Sequence, residues 1–257
     1  MFQSVIHAFS ALPEVEAIAL GGSRSGSCFD EKSDYDIYLY CVAPVSEEIR
    51  REILEQYSSR LEISNHFWEM EDNGTFRNGI DFDILYRNLD DFVNGVAAVA
   101  EKYQAQNAYT TCMWYNLMNS QLLFDRNGRL AQAQQRFRIP YPEALRQNIL
   151  DRGMKLLHSA MPAYELQICK ALERGDLVSV NHRTTAFLET YFDVLFALNR
   201  KLHPGEKRLI PFCKNQCEIL PENFEENICR LFAHMYTDPT AVKEDIQSIL
   251  HALARII

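Results

Sequence analysis

The stretch that decides the fold is "ALGGSRSGSCFDEKSDYDIYLY", residues 19–40. It joins one apolar segment to another through a segment rich in glycine and serine, and the second apolar segment carries Asp34 and Asp36. Residues i and i+2 of a strand share a face, so this spacing predicts that the two aspartates project side by side. Two carboxylates this close repel each other unless a cation lies between them. The pattern therefore favours a metal site.

Two common phosphate-binding loops are excluded by the residues that follow Gly21. A dinucleotide-binding loop requires glycine two positions later, where this chain has Ser23. A P-loop requires lysine directly after its last glycine, and Gly26 is followed by Ser27. The turn is instead predicted to leave the backbone at Gly22 open to a phosphate, with Ser23 and Ser27 donating hydroxyl hydrogen bonds to phosphate oxygens.

The pair of aspartates is explained by Mg²⁺, which takes oxygen ligands and bridges carboxylates to substrate phosphates. Two such ions about 3.5–4 Å apart can hold both the attacking and the leaving oxygen of a phosphoryl displacement. A third carboxylate is expected, and "GIDFDILY" (79–86) offers Asp81 and Asp83. Asp83 is the stronger candidate because an ionised group amid Phe82, Ile84 and Leu85 needs a partner. Asp81, close to the Asn78-Gly79 turn, is interpreted as solvated.

Hydrophobic periodicity predicts a small α/β unit followed by a helical region. A helix is expected over 2–12, and a second from the capping residue Ser46 to about Tyr57. Asn-Gly turns are expected within "EDNGTF" (71–76) and at 78–79, and from about residue 105 onward only helices are expected, including one over 108–124. Strands are predicted at "VEAIALGG" (15–22), "YDIYLYCV" (35–42), "RLEISNHFWEM" (60–70) and "NGIDFDILY" (78–86).

Charge is distributed unevenly along the 257 residues, whose formal net charge is −9. Residues 1–137 contain 11 Lys and Arg against 20 Asp and Glu, whereas the remainder contains 15 of each. This argues against a polynucleotide partner, which requires a basic groove, and suits metal cations. No apolar run is long enough for a membrane span, and the N-terminus lacks signal-peptide features. The seven scattered cysteines are typical of reduced thiols, so a cytoplasmic location is expected.

The opening motif resembles the DNA polymerase beta-type nucleotidyltransferase superfamily, in particular its minimal and antibiotic-modifying bacterial branches. The resemblance rests on Gly22-Ser23, ten intervening residues, Asp34-x-Asp36, and the later apolar strand that bears Asp83. "FDILYRNLDDF" (82–92) and "LFALNRKLHPGEKR" (195–208) further resemble an uncharacterised bacterial group with a helical C-terminal domain.

Together with the periodicity, the resemblance implies an α+β protein: a nucleotidyltransferase domain (1–130) with a mixed sheet flanked by helices, then a helical acceptor-binding domain (131–257). It implies two Mg²⁺ ions and a nucleoside triphosphate, often ATP. Gly22 and Ser23 would hold the triphosphate, Asp34 and Asp36 would bind metal, and Asp83 would be the third ligand or the base. In antibiotic-modifying relatives the base can be a glutamate elsewhere, so the role of Asp83 stays open.

Two cations are further candidates for the triphosphate. Arg24 follows the glycine turn, and Lys207 follows "HPGE" (203–206), where it could reach towards a triphosphate; both could equally be ordinary surface bases. Asp193, within an apolar helical stretch, is interpreted as part of a local polar network, and His203 as structural.

The predicted activity is transfer of a nucleoside monophosphate, most simply AMP from ATP, to a hydroxyl of a small acceptor such as an aminoglycoside-like antibiotic. One alternative keeps the chemistry but makes a protein the acceptor, as in an antitoxin-type nucleotidyltransferase. The other is a non-catalytic nucleotide-binding module. A nucleic-acid acceptor and a membrane partner are not expected.

Overall fold

The computed structural model describes residues 1–22, 24, 33–67 and 69–257. Within this part of the chain, six strands form one mixed sheet in the order β3-β4-β5-β2-β1-β6. β2 and β5 are parallel, and the other neighbouring pairs are antiparallel. The strands are β1 (Val15–Leu20), β2 (Tyr35–Cys41), β3 (Ser58–Asn65), β4 (Glu71–Phe76), β5 (Asp81–Arg87) and β6 (Gln121–Asp125).

Helices flank the sheet and make up most of the second half of the chain, so the predicted α+β fold class is confirmed. Those in the described residues are α1 (Phe2–Ser10), α2 (Glu47–Glu55), α3 (Leu89–Ala100), α4 (Cys112–Asn119), α5 (Arg129–Arg136), α6 (Glu143–Met154), α7 (Tyr164–Glu173), α8 (Leu177–Leu198), α9 (Leu209–Gln216), α10 (Phe224–His234) and α11 (Pro239–Ala254). A π-helical turn (Lys155–Ser159) continues α6. None of these helices is both long enough and apolar enough to cross a lipid bilayer.

The chain folds into two compact units, neither of which is continuous in sequence. The sheet unit comprises Met1–Ala97 and Met113–Ile139, and the helical unit comprises Ala98–Cys112 and Pro140–Ile257. The division into domains at residue 130, with an acceptor-binding role for the second, stays a prediction.

The core of the sheet unit lies between one face of the sheet and helices α1 and α2. Apolar residues alternate along the central strands, as the period of two requires, and Ile37, Leu39, Phe82 and Ile84 are all fully buried. The intervening residues of β2 and β5 therefore point to the opposite face. This opposite face carries the aspartates that the sequence singles out.

One predicted turn is wrong. Asn73 and Gly74 lie inside β4, and the chain reverses at residues 77–80 around the second Asn-Gly pair. A Cβ at Gly74 would lie 2.5 Å from the Phe82 ring and 2.7 Å from the carbonyl oxygen of Arg60. The glycine is thus explained by close packing inside a strand, whereas Gly79 takes the positive φ of a turn.

The helix predicted over 108–124 is also corrected. Only Cys112–Asn119 is helical, and the apolar residues that follow form β6, which pairs antiparallel with β1. A short apolar run fits a strand as well as a helix, so periodicity alone could not separate them. The segment is a strand because its backbone pairs with the edge of β1.

Candidate functional site

Three carboxylates converge on the face of the sheet opposite the core. One carboxylate oxygen from each of Asp34, Asp36 and Asp83 lies within 4.8 Å of the other two. All three residues are partly buried. This carboxylate cluster is the one group of three or more potential metal ligands within the described residues.

The parallel pairing of β2 and β5 brings the cluster together. Asp36 and Asp83 are direct register partners across this pair. Asp34 precedes the first residue of β2 and lies two positions before Asp36, which brings its carboxylate to the same place. Phe82 and Ile84 point into the core, so Asp83 between them must point away from it.

Gly22 is required by the carboxylate of Asp36. Its φ is +60°, and a Cβ built on it would lie 1.6 Å from Oδ2 of Asp36. Gly21 donates its backbone N–H to the carbonyl of Asp36 at 2.7 Å, and a Cβ there would lie 2.1 Å from the ring of Tyr38. Both glycines therefore make room for side chains of the protein itself, which differs from the reason the sequence suggested. A contact between Gly22 and a phosphate stays a prediction.

Two asparagines that no sequence motif predicts support Asp83. Asn73 Nδ2 donates to Asp83 Oδ1 at 2.6 Å, and Asn65 Nδ2 donates to Asn73 Oδ1 at 2.6 Å. Asn73 is the register partner of Asp83 across β4 and β5. The segment "EDNGTF" has no polar–apolar alternation that indicates a strand, and its Asn-Gly pair predicts a turn, so no signal in the sequence identifies Asn73.

Glu71 is a further acidic residue on this face. It lies two positions before Asn73 in β4 and is 7% exposed. Burial and the negative charge of Asp83 raise its pKa, against a hydrogen bond with Asn73 that acts in the opposite direction. Together with the cluster, Glu71 gives this face a strongly negative potential.

Arg87, a basic residue of β5 on the same face, is paired within the protein. Arg87 is buried and donates to both carboxylate oxygens of Glu69, at 2.7 and 2.6 Å, and to Asn116 Oδ1 at 3.0 Å. Its guanidinium lies 4.3 Å from the centre of the Tyr38 ring, and Asn116 donates to the Tyr38 hydroxyl at 2.7 Å. This ion pair keeps Arg87 from offsetting the charge of the carboxylate cluster.

The remaining predicted site residues fall in three situations. Ser23 and Ser27 lie outside the described residues. Arg24 donates Nε–H to the carbonyl of Ser33 at 2.6 Å and lies 4.2 Å from the Tyr35 ring centre, so its contacts connect it to the segment before β2. Lys207 is exposed in the helical unit. The roles of these residues in phosphate binding stay predictions.

Asp81 lies outside the cluster, in agreement with its interpretation as a solvated residue. It is exposed, and its Oδ1 accepts a hydrogen bond from Thr75 Oγ1 at 2.7 Å. Thr75 and Asp81 are register partners two residues along from Asn73 and Asp83.

In the helical unit, Asp193 belongs to a buried polar network. Its carboxylate accepts hydrogen bonds from the backbone N–H and the hydroxyl of Thr110, at 2.9 and 2.6 Å. Burial raises the pKa of Asp193 to about 6. His203 is fully buried between the rings of Tyr109 and Phe196, and burial lowers its pKa to about 3.

The cluster fits a magnesium ion by its chemistry and its local packing. Mg²⁺ prefers hard oxygen ligands and is commonly held by one or two carboxylates together with substrate phosphates. Three partly buried carboxylates with oxygens 4.8 Å or less apart are unfavourable without a cation. Gly22 leaves room for the carboxylate of Asp36, and the Asn65–Asn73 pair holds that of Asp83 in place.

Residues 109–209 match the family model described as "Domain of unknown function (DUF4037)". The match covers less than half of the chain and carries no activity. No curated protein matches the sequence.

The solved structures that are similar to this chain at low identity include the following three. A nucleotidyltransferase-like protein from Exiguobacterium sibiricum 255-15 is 10% identical, with coverage of 99% of this chain and 72% of that chain and a TM-score of 0.44. An aminoglycoside 6-adenyltransferase from Bacillus subtilis is 10% identical, with coverage of 99% and 89% and a TM-score of 0.32. A CCA-adding enzyme in complex with CTP is 14% identical, with coverage of 93% and 65% and a TM-score of 0.27. At these values the chemistry of the chain has to be inferred from its own residues.

Proposed function

We propose that this protein is a Mg²⁺-dependent nucleotidyltransferase that transfers a nucleoside monophosphate, AMP from ATP in the first instance, to a hydroxyl group of a small acceptor. The observation that carries the proposal is the convergence of Asp34, Asp36 and Asp83, with oxygens 4.8 Å or less apart, on one face of a mixed sheet. The glycine turn packed against Asp36 supports it.

In this proposal, Asp34, Asp36 and Asp83 hold the metal through carboxylate oxygens. When bound, Mg²⁺ supplies positive charge that offsets the triphosphate and the charge developing on the leaving pyrophosphate. The acceptor oxygen forms a bond to the α-phosphorus while the bond from that phosphorus to the bridging oxygen breaks. Gly22, Ser23 and Ser27 are assigned to the triphosphate, with Arg24 and Lys207 as further candidates.

The proton of the acceptor hydroxyl needs a base close to the α-phosphorus. Two carboxylates on this face are candidates, Asp83 and Glu71. Glu71 lies outside the set of three metal ligands, and burial raises its pKa, which suits a group that takes up a proton.

A small hydroxylated acceptor that carries amino groups suits the charge of this face. The carboxylates of the cluster and of Glu71 lie on it, and Arg87 is already paired with Glu69. The aminoglycoside 6-adenyltransferase among the similar structures is named for an acceptor of this kind. The chain's own charge distribution is the independent support, with its excess acidity confined to residues 1–137.

The test is pyrophosphate release with Mg²⁺ and each of the four nucleoside triphosphates, labelled at the α-phosphate, across panels of small hydroxylated amines, proteins and RNA. We expect label on a small molecule. Label on a polypeptide would instead support the protein-modifying alternative, and label on RNA would contradict the predicted absence of a nucleic-acid partner. Tight nucleotide binding without turnover on any acceptor would favour a binding module.

Asp36→Asn tests the assignment of the carboxylates. We expect it to lower turnover by at least about 100-fold, since it removes a charge at the centre of the cluster. The matched control is Asp81→Asn, which makes the same change on β5 in an exposed residue outside the cluster and should retain activity. Equal turnover in the two variants would refute the proposal.

A further inference from the structure

Asn65 and Asn73 form a chain of two side-chain amides that ends on Asp83. Because an ionised carboxylate only accepts hydrogen bonds, Asn73 must present its NH₂ group to Asp83 Oδ1, at 2.6 Å. Its carbonyl oxygen then faces Asn65, which must present an NH₂ group in turn, also at 2.6 Å. The orientation of both amides follows from the carboxylate at the end of the chain.

The three hydrogen-bonded residues Asn65, Asn73 and Asp83 lie on three neighbouring strands. Asn73 on β4 is paired with Asp83 on β5, and Asn65 on β3 is paired with Glu71, two residues before Asn73. All members of the chain are partly buried. Asn73 also forms a hydrogen bond with Glu71. Its pairing with Asp83 at fixed register keeps its amide against the Asp83 carboxylate, which restricts rotation of that carboxylate.

The register pair two residues along β4, Thr75 and Asp81, differs from Asn73 and Asp83 in its surroundings. Thr75 and Asp81 occupy the same face and the same strands and also form a hydrogen bond, at 2.7 Å. That pair is exposed, it ends in a hydroxyl and not in a second amide, and its aspartate is outside the carboxylate cluster.

We propose that Asn73 is a positioning residue of the cation site, which orients Asp83 towards Asp34 and Asp36, and that Asn65 orients Asn73. The inference rests on the proposed function for the identity of the cation. In this proposal the two asparagines contact neither the nucleotide nor the acceptor. Residues that orient a metal ligand in this way typically contribute 10- to 100-fold to metal affinity.

The experiment measures Mn²⁺ binding to the nucleotide-free protein by electron paramagnetic resonance of the free ion, with Mn²⁺ as the probe for Mg²⁺. We expect Asn73→Leu, which keeps the approximate shape and removes the donor, to weaken Mn²⁺ binding about 10- to 100-fold. Asn65→Leu should weaken it by a smaller factor. Asn73→Gln, which keeps an amide donor, should recover part of the loss.

Thr75→Val is the matched control, since it removes the equivalent cross-strand hydrogen bond to an aspartate outside the cluster. It should leave Mn²⁺ affinity unchanged. If Asn73→Leu does not fold, Asn65→Leu, which leaves Asn73 and the cluster in place, decides the question by the same measurement.

The outcomes separate this inference from the proposed function. If the unmodified protein binds Mn²⁺ and Asp36→Asn does not, but Asn73→Leu and Asn65→Leu bind it normally, the positioning role is overturned and the metal site stands. If the unmodified protein binds no Mn²⁺ at millimolar concentrations, both are overturned. Weaker binding in the two asparagine variants and unchanged binding in Thr75→Val would establish the role.

Discussion

Gly22 lies directly against the carboxylate of Asp36. The carboxylate of Asp36 occupies the space where any other residue at position 22 would place its Cβ, and the backbone at Gly22 has a φ of +60°. Two separate constraints, a steric one and a conformational one, therefore demand glycine. The Asp36 carboxylate can therefore keep its position in the cluster only if residue 22, just after β1, has no side chain.

Gly22→Ala is predicted to weaken Mn²⁺ binding by about tenfold or more, because Asp36 must rotate away from the cluster to admit the methyl group. The matched control is Gly79→Ala, where φ is +83° and no atom lies within 4 Å of the added Cβ. Both variants bear the strain of a left-handed alanine, about 1–2 kcal/mol. Urea unfolding measures that shared strain, and Mn²⁺ titration measures the effect on the site.

The prediction fails if Gly22→Ala and Gly79→Ala bind Mn²⁺ equally well. A larger loss of stability in Gly22→Ala than in Gly79→Ala is expected as well, since only the former displaces a carboxylate.

At the scale of elements, β4 supports the site on one face and the fold on the other. Asn73 faces the carboxylate cluster, whereas its neighbour Asp72 is fully buried on the opposite face and forms an ion pair with Arg50 of α2. Asp72 also accepts hydrogen bonds from the backbone N–H of Ser64 at 2.9 Å and from the hydroxyl of Tyr86 at 2.8 Å. One buried carboxylate thus connects α2, β3, β4 and β5.

Arg50→Met is predicted to destabilise the sheet unit by about 3–5 kcal/mol, because it leaves the charge of Asp72 buried without its cation. The control is Arg60→Met, which breaks the exposed ion pair with Glu62 and should change stability by less than about 1 kcal/mol. Urea unfolding followed by circular dichroism measures both. A change below about 1 kcal/mol for Arg50→Met would mean that the pair contributes no more than a surface one.

Secondary structure was predictable to the extent that each element depends on its own residues. β1, β2, β5, α1 and α2 follow from local periodicity and from the capping residue Ser46, whose side chain accepts a hydrogen bond from the N–H of Ile49. β6 and the course of β4 through Asn73-Gly74 depend on the strands beside them. Periodicity gives no information about which neighbour a segment will have.

At the scale of the whole molecule, two buried groups of the helical unit make stability depend on pH in opposite directions. His203 has a pKa of about 3 in the folded protein, so between pH 6.5 and 3 the unfolded chain binds the extra proton and stability falls as the pH falls. Asp193 has a folded pKa of about 6, so between about pH 4 and 6 the folded protein binds the extra proton. Its contribution therefore falls as the pH rises.

His203→Phe is predicted to remove the first of these effects, since a phenyl ring fits between Tyr109 and Phe196 and does not titrate. Relative to the unmodified protein, the variant should lose about 2–3 kcal/mol less stability on going from pH 7 to pH 4.5, at about 1.4 kcal/mol per pH unit below 6.5. Guanidinium unfolding at the two pH values measures the difference. Parallel pH profiles for the two proteins would show that His203 titrates normally in the folded state.

The amino-acid sequence by itself determined which residues could form the site. The spacing of Asp34 and Asp36, and the apolar neighbours of Asp83, identify three carboxylates with a common need for a cation, because the alternation of a strand is a local property. The convergence of the three was decided only by tertiary structure, through the parallel register that sets Asp36 opposite Asp83. The same holds for Asn65 and Asn73, which reach Asp83 only because β3, β4 and β5 are neighbours. Hydrogen bonds between strands join residues that are far apart in sequence, and no local sequence pattern predicts which strands will pair.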